Sequence, residues 1–414
     1  MPRHLEMTAR NVTEAPHETL LLRICAAPDA DHEMAFRGLD EEGWSDLAAL
    51  AEDKRAAPLV RRSIAIAGIQ PIVPASALQE IDRACQWHAL YGLRQAVALK
   101  RLIGVLAQGG FHPIVLKGLG LAHRDYPDQA LRPLRDVDLL LTPDEAPAAQ
   151  DLLLRTEGYR LAPWAGTYGV EYGHQMPELQ DVEFELTIEV HHRINARGWA
   201  QEPLLLELIR GEATELTLLG AQVRVPSSRA NFLHLVEHAT LHHAFENGPL
   251  VLADLHFLVQ RNELDWGWIE AEAARLGLAN SLRLLATVAA ELGAGWPPAH
   301  LANKECVPDL HLASAHVAML QDKEASERNK MMRRLEAETS GDSGWRAAVA
   351  RAFRPNPHQL AAFAGSRHDD WRRWLGYPAW LFNRARRYLV ASRDEVVRSG
   401  AEREAEMVNW LRLG

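Results

Sequence analysis

The sequence predicts an α+β protein in which a mixed sheet with a few helices is flanked by N-terminal and C-terminal helical regions. Two observations carry this. Apolar residues recur at helical spacing before about residue 110 and again after about residue 229, while between them they form short continuous or alternating runs. No repeat period or low-complexity tract interrupts the chain. The expected division is therefore a helical region at 1–110, an α/β core at 111–228 and a helical domain at 229–414.

Each element follows from its own pattern. The stretch "ALQEIDRACQWHALYGLRQAVALKRLIGVLAQGG" is helical and ends at the stop signal Gly109-Gly110. Strands are expected at "PIVL", "DVDLLL" and "VEFELTIEVHH", with a hairpin at "TELTLLGAQVRVP". Helices return in "RANFLHLVEHATLHHAF", "ADLHFLVQRN", "WIEAEAARLGLANSLRLLATVAAEL" and "YPAWLFNRARRYLVASRDEVV". "ETSGDSG" at 338–344 and "RPNP" at 354–357 read as loops between helices.

At 414 residues the chain can bury a substantial core, and 47% hydrophobic with 24% charged residues is the balance of a soluble globular protein. A net charge of −10 argues against a general nucleic-acid coat and makes a tRNA acceptor less expected. The basic stretch "RRWLGYPAWLFNRARRYLVASR" leaves phosphate or membrane-surface contacts open. It reads first as the solvated face of an amphipathic helix with Trp374, Trp380 and Leu381 inward. Cys25, Cys85 and Cys306 are widely spaced and odd in number, so neither a disulfide framework nor a zinc site is indicated. No apolar run has the length of a membrane span and no signal-peptide core opens the chain, so it reads as cytoplasmic.

The chemistry concentrates in "VLKGLGLAHRDYPDQALRPLRDVDLLL", residues 115–141. In a strand, Asp136 and Asp138 point to one side, roughly 6.5 to 7 Å apart, with Val137 and Leu139 toward the core. Two carboxylates so close repel unless a cation joins them, and Mg2+ held by one or two carboxylates and completed by phosphate is the usual answer. The plain alternative is a strand edge whose aspartates meet solvent. Upstream, Lys117-Gly118 closes a buried strand before a short helical stretch, an arrangement able to approach phosphate; the P-loop order is absent. Arg132 and Arg135 could hold phosphate oxygens, or could sit in a solvated loop. A third carboxylate comes from "FELTIEVHHRI", where strand alternation would put Glu183, Glu185, Thr187, Glu189 and His191 on one face. Glu189 and His191 lie nearest the strand's end. Further on, His234, His238 and His242 recur every four residues, with His243 adjacent and Asp254 and His256 following. They are expected to line a helix packed on the sheet or facing a substrate cleft. Metal chelation is the alternative, without an HExxH or CxxC motif to favour it.

The order "LKG", "YP", "R", "DVDLLL", "IEVHHRI", "LHLVEHATLHH" and "LADLHFLVQR" resembles the bacterial uncharacterised nucleotidyltransferase family, within the polymerase-beta-type superfamily. The resemblance implies a nucleotidyltransferase-type mixed sheet and transfer of a nucleoside monophosphate from a nucleoside triphosphate such as ATP. The acceptor hydroxyl would belong to a small molecule, sugar, peptide or protein, and pyrophosphate would leave. By the resemblance, Asp136, Asp138 and Glu189 are the catalytic metal ligands for Mg2+ or Mn2+. Lys117, Gly118 and Arg132 would bind phosphate, with Arg135 a candidate from its position alone, and His191, His238, His242 and Asp254 are candidate substrate contacts. The chain departs from the superfamily pattern in having Leu119 after Gly118, a longer gap to Asp136, glutamate at 189 and the bulky Arg135. A catalytically silent nucleotide- or protein-binding relative, or a toxin-like enzyme modifying RNA or protein, fits the same residues.

Overall fold

The computed structural model describes residues 15–163, 165, 170, 173–195, 199–218, 220–321, 355, 357–366, 370–393 and 395–413. The expected loop at 338–344 and residues 354 and 356 of that at 354–357 lie outside these residues.

Five helices build the N-terminal region: α1 (Pro16–Ala26), α2 (Glu33–Arg37), α3 (Glu41–Asp53), α4 (Ala57–Ile66) and the long α5 (Ala75–Gln108). α5 stops where the two glycines predict. Gly110 takes φ of 82°, Phe111 N donates to Leu106 O at 2.9 Å and Gly110 N to Ala107 O at 3.0 Å. This left-handed cap satisfies carbonyls that would otherwise be stranded.

The sheet has seven strands: β1 (Ile114–Leu116), β2 (Asp136–Leu140), β3 (Tyr159–Leu161), β4 (Leu179–Asp181), β5 (Thr187–His191), β6 (Thr214–Leu218) and β7 (Ala221–Val225). Their order is β3-β4-β5-β2-β1-β7-β6. β2 runs parallel to β5 and antiparallel to β1, and β1 is parallel to β7. β6 and β7 form the expected hairpin, with Gly220 at φ of 79° in its turn. Helices α6 (Gly118–Arg124), α7 (Glu145–Arg155) and α8 (Glu202–Gly211) complete the α+β core. The C-terminal region comprises α9 (Ser228–Glu237), α10 (Leu250–Arg261), α11 (Trp266–Arg275), α12 (Ala279–Glu291), α13 (Asp309–Leu320) and helices Pro357–Ala364, Tyr377–Arg393 and Glu395–Leu411. Trp380 is buried as expected, but Trp374 is 55% exposed, because it lies in the 3-10 turn Trp371–Gly376 before the helix rather than on its inward stripe.

Two cores explain how the sheet presents its residues. Val115, Val137, Leu139, Ile188 and Val190 pack with Leu99, Leu102 and Leu106 of α5 and with Ala149 and Leu153 of α7. Ile114, Leu116 and Leu140 join the other core, which contains the N-terminal helices and α9 to α13. Strand alternation therefore turns Asp136, Asp138, Glu189 and His191 toward the large helical body.

One strand is shorter than the sequence predicts. Glu183 and Glu185 lie in the connection between β4 and β5, so the polar face of β5 carries only Thr187, Glu189 and His191. The cause is Asp181, whose buried Oδ1 accepts from Glu183 N at 3.0 Å and Phe184 N at 3.1 Å. Such an Asx-type turn offers the backbone an alternative to continuing the ladder. α5 grips the turn from outside: Tyr91 Oη donates to Glu185 O and Arg94 Nη2 to Glu183 O.

Candidate active site

The parallel pairing of β2 with β5 puts Asp136 opposite Thr187 and Asp138 opposite Glu189. Leu116 at the end of β1 pairs with Asp138, so the next residue, Lys117, turns directly onto that carboxylate. Its Nζ donates to Asp138 Oδ1 at 2.7 Å. Lys117 does so from φ of 55° and ψ of −132°, a backbone conformation that L residues rarely hold and that costs of order 1–3 kcal/mol. From the far side, His191 Nε2 lies 2.8 Å from the same Asp138 oxygen and 3.2 Å from Glu189 Oε2.

Charge follows this geometry. Burial works against ionising Asp138, but Lys117 and His191 override it and hold its carboxyl far below the usual range. Burial, then the charges of Asp138 and Glu189, push Asp136 the other way, up to about 6. Burial would discharge Lys117 and His191 as well, yet the carboxylates keep both above their ordinary values. A lysine and an imidazole thus place positive charge against Asp138. Asp138, Glu189 and His191 present atoms within 4.8 Å of one another, a set able to hold a metal ion; Asp136 stands beside it.

Other sequence candidates are drawn elsewhere. Arg132 Nε and Nη2 donate to the two oxygens of Asp254 on α10 at 2.6 and 2.9 Å, and Nη1 donates to Pro133 O. Tyr126 Oη adds a third bond to Asp254 at 2.7 Å. Asp254 is 3% exposed, so Arg132 and Asp254 form one buried ion pair joining the β2 approach to α10. Gly118 lies beneath this pair: a Cβ there would stand 3.3 Å from Leu134 Cδ2 and 3.5 Å from Arg132 Cζ. Arg135 is exposed and its charge favours ionised Asp136.

A further cation was not singled out in the sequence. Arg55, in the turn between α3 and α4, takes φ of 58° and makes no ion pair within 4 Å among the described residues. Burial, then the positive charges of Arg132 and Arg135, lower it to about 10, opposed by Asp136 and Asp254. "EDKRAAP" carries no local signal for this, because only the packing of the N-terminal helices brings the turn to the sheet.

The histidines form a second cluster joined to the first. Met176 N donates to Val190 O at 2.8 Å and His192 N to His174 O at 3.1 Å, which lays His174 against β5. Its ring centre is 5.3 Å from that of His191 and 4.9 Å from that of His242. Beyond α9 the chain makes a π-turn, His238–His242, and the rings of His238, His242 and His243 meet with centres 4.4 to 5.3 Å apart. Burial first, and Lys117 among the surrounding charges, hold His234 and His242 down at about 3 and His238 well below the imidazole range. His191 is the exception because it alone has carboxylates in reach.

No curated protein and no solved structure matches the chain. A family model described as uncharacterised nucleotidyltransferase matches residues 40–294, which spans α3 through α12 and the entire sheet. With more than half of its length matched and the carboxylate-bearing strands inside the match, the chain belongs to the uncharacterised nucleotidyltransferase family.

Proposed function

We propose that the protein is a metal-dependent enzyme moving a nucleoside monophosphate from a nucleoside triphosphate to an acceptor hydroxyl, with release of pyrophosphate. The carrying observation is that Asp136, Asp138 and Glu189 stand on adjoining parallel strands with Asp138 opposite Glu189. In this reading residues 111–228 are the catalytic core and the flanking helices cover it. Three free cysteines support a reducing, cytoplasmic setting.

The residues fit a hard divalent ion. Asp136 is pushed up to about 6 by burial and by the negative charge of Asp138 and Glu189, and a dication relieves that crowding. Carboxylate oxygen dominates the donor set, which suits Mg2+ or Mn2+, held by Asp136, Asp138 and Glu189. When bound, the ion would neutralise phosphate charge and acidify the acceptor hydroxyl. The chain itself supplies position and field: His191 fixes the carboxylates of Asp138 and Glu189, and Lys117, Arg55 and Arg135 set positive charge at their edge.

The test is to incubate the chain with each labelled nucleoside triphosphate and Mg2+ or Mn2+, then follow pyrophosphate release and labelled product. Small molecules, sugars, peptides, proteins and RNA serve as acceptors. Pyrophosphate release that persists unchanged in Asp138→Ala would overturn the assignment. One observation favours a second reading, a silent nucleotide- or protein-binding relative: Lys117 Nζ lies 2.7 Å from Asp138 Oδ1 and competes for an oxygen that a metal would use. Triphosphate binding with no pyrophosphate released under any condition would establish that reading instead.

A further inference from the structure

We propose that His238, His242 and His243 form a second metal site, for a transition metal of zinc's chemistry, distinct from the carboxylate centre. The argument begins with backbone geometry. In an α-helix, at about 100° per residue, His242 would lie about 40° from His238 and His243 about 140° away, so the third ring would point off the shared face. A π-turn has roughly 4.4 residues per turn, which places 242 and 243 on either side of 238, roughly 30° and 50° away. His243 N donates to His238 O at 3.2 Å, the five-residue bond of that turn. Phe245 N reaches back to Ala239 O, and the chain leaves through Ala244 and Phe245 at φ of 48° and 67°. Two consecutive left-handed non-glycine residues are costly, and such strain persists only where the surroundings impose it.

The donor atoms fit the ion. Ligand nitrogens of the three rings lie within 4.8 Å of one another. Around zinc, with bonds near 2.05 Å, tetrahedral ligands stand about 3.4 Å apart, so modest ring rotation closes the set. Nδ1 of His238 and Nδ1 of His242 are both buried without a hydrogen-bond partner. His242 also hydrogen-bonds the Ile194 main chain, so its other nitrogen is engaged and Nδ1 is left with the lone pair. An imidazole held through one nitrogen by a backbone group while the other faces the ion is the usual arrangement of a histidine ligand. Ile194 is itself fixed by the buried Glu202, whose Oε1 accepts from Ile194 N at 3.0 Å and Asn195 N at 2.9 Å. Three nitrogen ligands leave a fourth position open, as in catalytic rather than purely structural zinc sites. All-nitrogen donors also separate this site from the oxygen-rich centre, so the two would select ions of different hardness.

The full chain, stripped with a chelator and re-equilibrated with Zn2+ in excess Mg2+, is expected to retain one zinc per chain through gel filtration, counted by mass spectrometry. Co2+ in place of zinc is expected to give the visible absorption of a low-coordinate nitrogen-ligated ion. His242→Asn with His243→Asn should weaken zinc binding by about a hundred-fold or more, and Asp138→Asn with Glu189→Gln should leave it unchanged. Thermal melts check folding, and each asparagine variant alone provides a milder change if the double variant does not fold. Absence of retained zinc in the unmodified chain overturns the proposal. So does zinc that survives the histidine changes and vanishes with the carboxylate changes. Both results are independent of nucleotide turnover, so failure here leaves the transferase reading intact.

Discussion

The carboxylate centre and the histidine cluster touch through His174, yet they solve the problem of buried polar groups in opposite ways. On β2 and β5 the central charges are paired: Asp138 meets Lys117 and His191, and His191 also meets Glu189, while Asp136 is left crowded by like charge. Along α9 and the π-turn, burial holds His234, His238 and His242 far below the ordinary imidazole range, and each has a ring nitrogen without a partner. Buried polar atoms without partners each cost about 1–3 kcal/mol, and so do strained backbone residues. Among the described residues, five non-glycine residues have positive φ: Arg55, Lys117, Glu185, Ala244 and Phe245. Lys117 belongs to the centre, Arg55 carries its charge toward Asp136, and Ala244 and Phe245 follow the π-turn, whereas Glu185 lies in the turn before β5. Strain and unmet hydrogen bonding thus gather near the reactive side chains, while ion pairs compensate Asp138 and His191.

The comparison breaks most directly at Asp138. Asp138→Asn keeps the shape and removes the charge, and Glu189→Gln does the same across the strand pair. Either change is expected to lower metal-dependent pyrophosphate release by on the order of a thousand-fold, measured in steady state. Glu183→Gln and Glu185→Gln should change it by less than about two-fold, because those residues sit in the turn outside β5. If all four behaved alike, the distinction between site and turn would fall. Asp138→Asn also strands buried Lys117, so a stability loss of about 3 kcal/mol by denaturant titration is expected. Adding Lys117→Met should recover much of it.

Next in size is the Arg132–Asp254 pair, which resembles the carboxylate centre in its compensation but lacks its crowding of like charge. Arg132 is 14% exposed and Asp254 4% in their side chains. Asp254→Ala leaves the guanidinium buried without its bidentate partner and should cost about 3 kcal/mol. Activity per folded molecule and KM for the triphosphate should then stay near the unmodified values. A large rise in KM with stability intact would instead make Arg132 or Asp254 a ligand contact, as the sequence resemblance implies.

The sheet and the carboxylates were legible because alternation has period two: "DVDLLL" and "TIEVHH" specify which side chains share a face whatever the partner strand. The pairing of Asp138 with Glu189 depends on register across 51 residues of chain, and no local pattern encodes it. Misreading Glu183 and Glu185 had a local cause, a buried Asp181 that captures two backbone N–H groups and ends the strand early. Arg132 and Asp254 looked like ligands because charged residues beside a site are ambiguous until their partners are known. The four-residue spacing of His234, His238 and His242 was visible, but the shift that brings His243 onto their face was not. A π-turn arises from tertiary packing rather than residue preference.

The smallest effect tests the neutral side of the comparison in chelator-treated protein. His234 is fully buried with neither ring nitrogen bonded, and burial, then Lys117, hold it down at about 3. The unfolded chain takes up a proton at this residue near pH 6.5, while the folded chain refuses it until far lower. The unfolded state then binds more protons across that window, so stability falls as pH drops from about 6.5, by up to about 1.4 kcal/mol per pH unit for this group. His191 behaves oppositely: its raised value contributes stability that is present at low pH and lost as pH rises through its folded pKa. Replacing His234 with Leu removes a titrating ring that makes no hydrogen bond, so stability at pH 7 should change by less than about 1.5 kcal/mol. Its melting temperature should decline less steeply between pH 6.5 and 4.5 than that of the unmodified protein. Equal slopes would mean that His234 accepts its proton in the folded state, and the contrast between a compensated centre and a neutral cluster would no longer hold.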